Sequence, residues 1–518
     1  MSARALTRSA LRPSSPLSPS SLRRAPRPCT PRTYATEAHP RPVPKPSKFG
    51  QPTFQSHPHL LRSHELTPGI PASEYERRRR KLMDGLPDGS LVVSVSAQVK
   101  YMSGAIFYKF RQASDFWYLT GFEEPDSAVV LKKDSSARGY TMTLYSLGYD
   151  AHKAQWDGTR TDFSSIVDLF GADDARHTQN LAADLKSHLL SASTAYVDLP
   201  SSASKRPARG SYKLLMKYLS GSEAPRGVYE TILDGLTAPK CKPLAPLVRA
   251  LRGIKSEYEV EVMRRAAEIS GKAHAKTMRL AEPGVSESHL AAHFEYLCAR
   301  SGSQRPAYVP VVASGENALI IHYTHNDHLL REGELVLVDA GCEYNGYASD
   351  ITRTFPASGT FTPPQRDLYA ALLSAQKSLV ALCTAAHGHS LDDLHRQSVS
   401  TLRKELQQIG FDLSMRSGLL ERVLYPHYLS HPIGIDLHES DTFHRSEPLK
   451  EGMVITIEPG VYVPSDPAYP KHFHGLGIRI EDQVLIGKND PVVLSVAAPK
   501  EIADVEGSCQ GVLGLEPF

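Results

Sequence analysis

The sequence predicts a mixed α/β protein made of two folded halves behind a basic N-terminal arm. Three observations carry that expectation. The chain has 518 residues, too many for one hydrophobic core. From about Leu60 to Leu236, short β-like runs alternate with helical segments. Pro239, Pro243 and Pro246 then punctuate the chain before a second set of long helices and Val/Ile-rich runs. The hydrophobic content of 41% is that of an ordinary globular protein. No stretch reaches the roughly 18–20 uninterrupted apolar residues that a membrane span requires. The net charge is only +3, much of it in the arm, which argues against nucleic acid as a partner. Cys29, Cys241, Cys298, Cys342, Cys383 and Cys509 form no C-x-x-C pair. That usage argues against a zinc ribbon or a dense disulfide framework and suits a reducing compartment.

The arm comes first. Met1 to Thr36 contains no Asp or Glu, but has Arg4, Arg8, Arg12, Arg23, Arg24, Arg27 and Arg32 among many serines. An Arg-rich, Ser-rich, acid-free start reads as a mitochondrial transit peptide, here residues 1–34. Met1–Leu11 suits a short basic amphipathic helix, which the prolines from Pro13 onward would end. Arg32-Thr33-Tyr34-Ala35 resembles a mitochondrial cleavage pattern. In that pattern a processing peptidase cuts two residues after the Arg, and a second enzyme removes one bulky residue. On that reading Tyr34 is removed and the mature chain starts at Ala35. The Pro-rich residues 35–59 read as a flexible linker.

In the first half, residues 60–240, Ser90–Ser96, Ser127–Leu131 and Thr141–Tyr145 are expected strands. Pro71–Met83 and Asn180–Leu190 are expected helices. The second half, residues 245–500, opens on a capping box at Ser256-x-x-Glu259. Tyr258, Val262, Ala266, Ile269 and Ala273 then recur at helical spacing. Gln365–Ala385 and Leu391–Ile409 are further amphipathic helices.

The stretch from Glu334 to Phe355 carries the most chemistry. Two β-like runs flank Asn345-Gly346, a strong hairpin signal. A two-residue turn there makes the numbers of facing residues sum to 691. Asp339 and Asp350 then become diagonal neighbours on one face, with Cβ atoms roughly 7–8 Å apart. Two such carboxylates can share cations; without them they repel. On the hairpin alone, solvated aspartates or a pair with Arg353 are equally good readings. Farther along, His427, His431 and His438 fall around a turn rich in Pro and Gly. Glu458 ends the run Met453–Ile457, and Glu481 shares a strand face with Arg479. In isolation that last pair reads as a surface ion pair. Four carboxylates and one imidazole make a hard, oxygen-rich set that suits Mn²⁺ or another hard-to-borderline ion better than a thiolate zinc site would. Four negative charges call for about two divalent ions, the basis for expecting a dinuclear centre.

These motifs, in this order, resemble the aminopeptidase P branch of the pita-bread metallopeptidases. The resemblance rests on Ile321-His322-Tyr-Thr, Val338-Asp339-Ala-Gly-Cys, Ser349-Asp350-Ile-Thr-Arg-Thr-Phe, His431-Pro-Ile-Gly, Ile457-Glu458-Pro-Gly and Ile480-Glu481-Asp482. It also rests on the N-terminal stretch from Phe110 to Phe122. It implies a creatinase-like mixed α/β domain followed by a pita-bread catalytic domain. It implies metal ligands at Asp339, Asp350, His431, Glu458 and Glu481. It places His322, His427 and His438 around the scissile bond. With those positions, Glu458 is expected to accept and shuttle the proton, and His322 and His438 to stabilise the oxyanion. His427 is expected on the leaving-group side, and Arg479 behind the carboxylates. The implied activity is removal of one residue from peptide or protein N-termini, by a homodimer in the mitochondrial matrix. Candidate substrates are freshly processed imported proteins and Xaa-Pro peptides. A prolidase shares the five ligands and remains the alternative. A methionine aminopeptidase, a non-catalytic pita-bread module and a metal-free creatinase-like hydrolase fit less well. Trp117 is expected either in the core or reaching a neighbouring subunit's site.

Overall fold

The computed structural model describes residues 45, 47–198, 241–413, 418–439 and 443–512, all within one compact unit. The expected transit peptide, the Arg32–Ala35 pattern, residues 35–44 of the linker and residues 199–240 lie outside the described residues.

The first half is built on Ser90–Val95, whose six residues are all buried. The strand lies inside a six-stranded mixed sheet. Its order is Cys241–Pro243, Thr194–Val197, Ser90–Val95, Ala128–Lys133, Tyr140–Ser146, Asp174–His177. Both faces of the strand are covered. Val92 joins one apolar cluster, while Leu91, Val93 and Val95 join another beneath the helix Leu181–Ser191. The three expected strands appear within a residue or two of their expected limits. The expected helices run Ala72–Asp84 and Leu181–Ser191, with Pro71 and Asn180 as their N-caps.

In the second half the Ser256–Glu259 capping box opens the helix Glu257–Leu280. Its buried apolar stripe starts at Val262; Tyr258 is 46% exposed, against the expectation that it joins the stripe. The helix expected at Gln365–Ala385 runs Pro363–Ala381, because Pro is tolerated in the first turn of a helix. The strand Leu335–Asp339 pairs antiparallel with Val311–Ser314 and with Thr352–Pro356. Val454–Ile457 pairs with Asp482–Leu485, and Gly460–Tyr462 with Gly477–Arg479.

Two buried arginines knit this framework. Arg353 does not pair with either hairpin aspartate. Its guanidinium instead donates to Asp482 Oδ1 at 2.7 Å and to the carbonyls of Glu481 and Ala498. This draws the strand Thr352–Pro356 against the strand that follows Glu481. Arg78, in the helix Ala72–Asp84, donates to Tyr347 Oη at 3.1 Å and lies 3.4 Å from Glu259. It therefore joins the first half to the second. The shared apolar cluster does the same, mixing Phe116, Trp117 and Tyr118 with Tyr347, Ile433 and Ile435. Trp117 is a core residue of its own chain, 5% exposed and edge-on to Tyr75 and Tyr347. That burial corrects the option of its reaching a neighbouring subunit.

Candidate metal centre and active site

The hairpin forms in the expected register. Tyr344 faces Tyr347, and the same sum of 691 holds along Leu335–Asp339, so Asp339 faces Thr352. Asn345 and Gly346 both have positive φ, 48° and 82°. That backbone is why Asn-Gly makes this turn. The ladder breaks around Gly341, where a Cβ would lie 1.9 Å from the Ser349 carbonyl oxygen. Just beyond this close approach, Asp350 turns into the site, with its backbone N–H on Gln483 Oε1 at 3.2 Å.

The other candidate ligands come from the opposing half. The backbone around His431 runs beside the strand Val454–Ile457, with Thr456 N–H on the His431 carbonyl at 3.0 Å and Glu458 N–H on the Leu429 carbonyl at 2.9 Å. Glu481 N–H reaches the Thr352 carbonyl at 3.1 Å. Ligand atoms of Asp350, His431 and Glu481 thereby come within 4.8 Å of one another. His431 Nε2 lies 3.3 Å from Asp350 Oδ2 and 3.7 Å from Glu458 Oε1. Asp339 joins through Tyr308, whose hydroxyl lies 2.5 Å from Asp339 Oδ1 and 2.6 Å from Asp350 Oδ1.

The electrostatics are those of crowded, desolvated anions. Burial, then the charges of Asp350, Glu458 and Asp339, raises the Glu481 carboxyl well above its usual range. Burial, together with Asp350 and Asp339, lifts Glu458 to about 7 against the pull of His431 and Arg479. Burial disfavours charge on His431, but its contact with Asp350 and the charge of Glu458 prevail and raise it to about 9. The single Tyr308 proton cannot satisfy two carboxylates. The set needs protons or cations to be stable, and its hard oxygen donors with one imidazole fit a divalent cation.

The remaining expected residues surround this cluster. Arg479 and Glu481 are buried, 2% and 1% exposed, so they are not a surface ion pair. Arg479 donates to Asp339 Oδ2 at 2.7 Å, to Tyr462 Oη at 2.6 Å and to Thr352 Oγ1 at 3.1 Å. His427 Nε2 meets Tyr462 Oη at 3.0 Å, and burial lowers its pKa to about 4, with Arg479 adding to the effect. His438 is exposed, with its ring centroid 4.3 Å from that of His431. Burial of part of its ring, then the charge of His431, lowers its pKa; His322, also exposed, adds to that effect.

Sequence reasoning missed Tyr308, Tyr462 and two supporting threonines. Thr352 donates to Glu481 Oε2 at 2.7 Å, and Thr456 to Glu458 Oε1 at 3.2 Å. Thr456 is the one polar residue in the apolar run Val454–Ile457, which was the available signal; Thr352, followed by Arg353 and Thr354, carried none. Tyr308 had none.

Residues 261–488 match metallopeptidase family M24, and residues 75–197 match the aminopeptidase P, N-terminal domain. Intermediate cleaving peptidase 55 of Saccharomyces cerevisiae is 38% identical over 476 residues, covering 91% of this chain and 90% of that one. The chain belongs to metallopeptidase family M24. Human Xaa-Pro aminopeptidase 3 is 35% identical, covering 93% of this chain and 94% of its own. The crystal structure of the yeast peptidase lacking its N-terminal 58 residues overlays with a TM-score of 0.75 at 35% identity, covering 87% of this chain and 100% of that chain. Aminopeptidase P from E. coli with the inhibitor Pro-Leu overlays at 0.74 and 32% identity, covering 86% and 100%. The protein is thus a metalloaminopeptidase that uses divalent metal. An aminopeptidase P-type N-terminal domain precedes its pita-bread catalytic domain, as the sequence predicts. Among the described residues no helix is long and apolar enough to cross a membrane.

Proposed function

We propose that this metalloaminopeptidase removes a single residue from the N-termini of mitochondrial proteins after presequence cleavage, and also acts on Xaa-Pro peptides. The observation that carries the reading is the convergence of Asp350, His431 and Glu481 to within 4.8 Å, beside Asp339 and Glu458. The five would hold two divalent ions, with Mn²⁺ the best match to their hardness. When bound, such ions supply Lewis acidity and bring a water's pKa toward about 7. Glu458 takes the proton from the attacking water and passes it to the leaving amine. His322 and His438 hydrogen-bond the developing oxyanion or the neighbouring carbonyl. His427 lines the leaving-group side, its ring held by Tyr462. Arg479 orients Asp339 from behind. A homodimer in the mitochondrial matrix is the expected setting, with residues 60–240 and 245–500 as its two domains. The Arabidopsis relative, named mitochondrial and 37% identical, supports the compartment.

The test is N-terminal profiling of mitochondrial proteins with and without the enzyme. Its loss should leave proteins one residue longer, starting with Tyr, Leu or Phe; unchanged N-termini would refute the processing role.

A further inference from the structure

The N-terminal stretch Arg111-Gln-Ala-Ser114-Asp115 lies in the other half of the molecule from the metal cluster, yet its Arg111 and Ser114 side chains end on the loop that carries His431 and His438. Arg111 Nη2 donates to the Ile435 carbonyl at 2.7 Å, while its Nε donates to Glu343 Oε2, on the carboxylate hairpin, at 2.6 Å. Ser114 Oγ donates to Asp436 Oδ1 at 2.5 Å. The other oxygen of Asp436 accepts from Arg252 Nη2 at 2.5 Å. Arg252 also donates to Asp115 Oδ1 at 2.5 Å and to both oxygens of Glu439, at 2.9 and 2.8 Å. Arg252, Asp115 and Glu439 are buried, 2%, 8% and 2% exposed. Charge-assisted bonds in such surroundings are strong and directional.

The loop itself has little regular structure to hold it. Its internal backbone bonds are Glu439 N–H to the Pro432 carbonyl at 2.8 Å and Gly434 N–H to the Asp436 carbonyl at 3.1 Å, joined by Asp436 N–H to Glu439 Oε2 at 3.4 Å; at its start, Ile433 N–H bonds the Val454 carbonyl at 3.0 Å and Ala348 N–H the Gly434 carbonyl at 2.8 Å. A cavity of about 320 Å³, lined in part by Arg111, Ser114, Glu343 and Ile435, borders it.

We propose that Arg111, Ser114 and Arg252 are positioning residues: Arg111 and Ser114 from the first half, and Arg252 from the second, grip Asp436 and the Ile435 carbonyl and so set where His431 and His438 sit. The role of those two histidines rests on the function proposed above. Asp436 lies five residues after His431 and two before His438, so fixing it fixes the stretch between them. Arg111 also bonds the hairpin that carries Asp339 and Asp350, which ties the two ligand-bearing segments to one guanidinium.

Full-length Ser114→Ala, Ser114→Thr and Asp436→Asn proteins test this against wild type, with Mn²⁺ binding followed by calorimetry. Loss of a group that orients metal ligands typically weakens metal binding about 10–100-fold. Ser114→Ala and Asp436→Asn should weaken Mn²⁺ binding about tenfold and lower kcat by a similar factor, with KM within about twofold of wild type. Ser114→Thr, which keeps the hydroxyl, should restore both. A lower Tm with Mn²⁺ affinity, kcat and KM at wild-type values would show a merely structural contact and overturn the proposal. Should Asp436→Asn fail to fold, Ser114→Ala and its Thr rescue decide it alone. Wild-type protein inactive on every peptide would overturn the proposed function instead; the Mn²⁺ affinity ratio between variants and wild type would still read this inference.

Discussion

Replacing Asp350 by Ala removes a carboxylate that lies 2.6 Å from Tyr308 Oη and 3.3 Å from His431 Nε2. In metal-free protein this relieves repulsion felt by Glu481 and Glu458. Metal-free Asp350→Ala should therefore match or exceed wild-type Tm, while the rise in Tm on adding Mn²⁺ should vanish and kcat/KM fall by about three orders of magnitude or more. Differential scanning calorimetry with and without Mn²⁺ checks the first two, and peptide hydrolysis the third. The same groups give a pH dependence. Glu458, raised to about 7, and His431, raised to about 9, each bind more protons folded than unfolded when no metal is present. Their stabilising contributions are complete at low pH and are lost as pH rises, through about 7 for Glu458 and about 9 for His431. Metal must displace those protons, so the Mn²⁺-induced rise in Tm should grow between pH 5.5 and 8 (about 1.4 kcal/mol per proton released and pH unit). An increment that is flat or falls with pH would contradict it.

At the scale of elements, the hairpin was legible because a two-residue Asn-Gly turn leaves one register open, and register decides which face each side chain takes. That logic alone brings Asp339 and Asp350 together. It did not reveal why the ladder breaks between them, since a close backbone approach at Gly341 leaves no mark beyond the glycine itself. Gly341→Ala would force a Cβ to within 1.9 Å of the Ser349 carbonyl oxygen. Backbone cannot yield as a flexible side chain can, so the variant should lose roughly 1–3 kcal/mol or more of stability in urea unfolding. It should lose metal binding as well, because Asp350 follows Ser349 directly. The helix Glu257–Leu280 was legible through its capping box, whereas the edge strands Asp174–His177 and Cys241–Pro243 were not. Neither has the alternating apolar pattern; each exists because a stronger neighbouring strand offers it hydrogen bonds. Arg479 and Glu481 both reach Thr352 Oγ1, on the same side of the chain as expected, but sequence spacing alone could not say that the strand Thr352–Pro356 runs beside them.

Across the whole molecule, the two ligand-bearing halves of the catalytic domain meet at a buried ionic seam. Asp482 follows Glu481 directly and accepts from Arg353 at 2.7 Å, Lys500 at 2.5 Å, Gln376 at 2.8 Å and Ser495 at 2.7 Å. Burial alone would raise its pKa, but Arg353 and Lys500 outweigh burial and hold it well below the usual carboxylate range. Nothing in the sequence separated this aspartate from its glutamate neighbour: adjacent strand residues face opposite ways, so one carboxylate enters the site and the other enters the seam. Asp482→Asn keeps the shape but leaves Arg353 and Lys500 facing a neutral partner inside the protein. Breaking a buried pair from one side typically costs about 3–5 kcal/mol. The variant should unfold at correspondingly lower urea concentration at pH 7. Wild type should lose the same contribution as the solution is acidified below about pH 4, where unfolded Asp takes up protons and folded Asp482 does not. The acid-side fall in Tm should therefore be shallower in Asp482→Asn than in wild type. Parallel acid profiles for the two proteins would mean that the seam is not where the halves are joined.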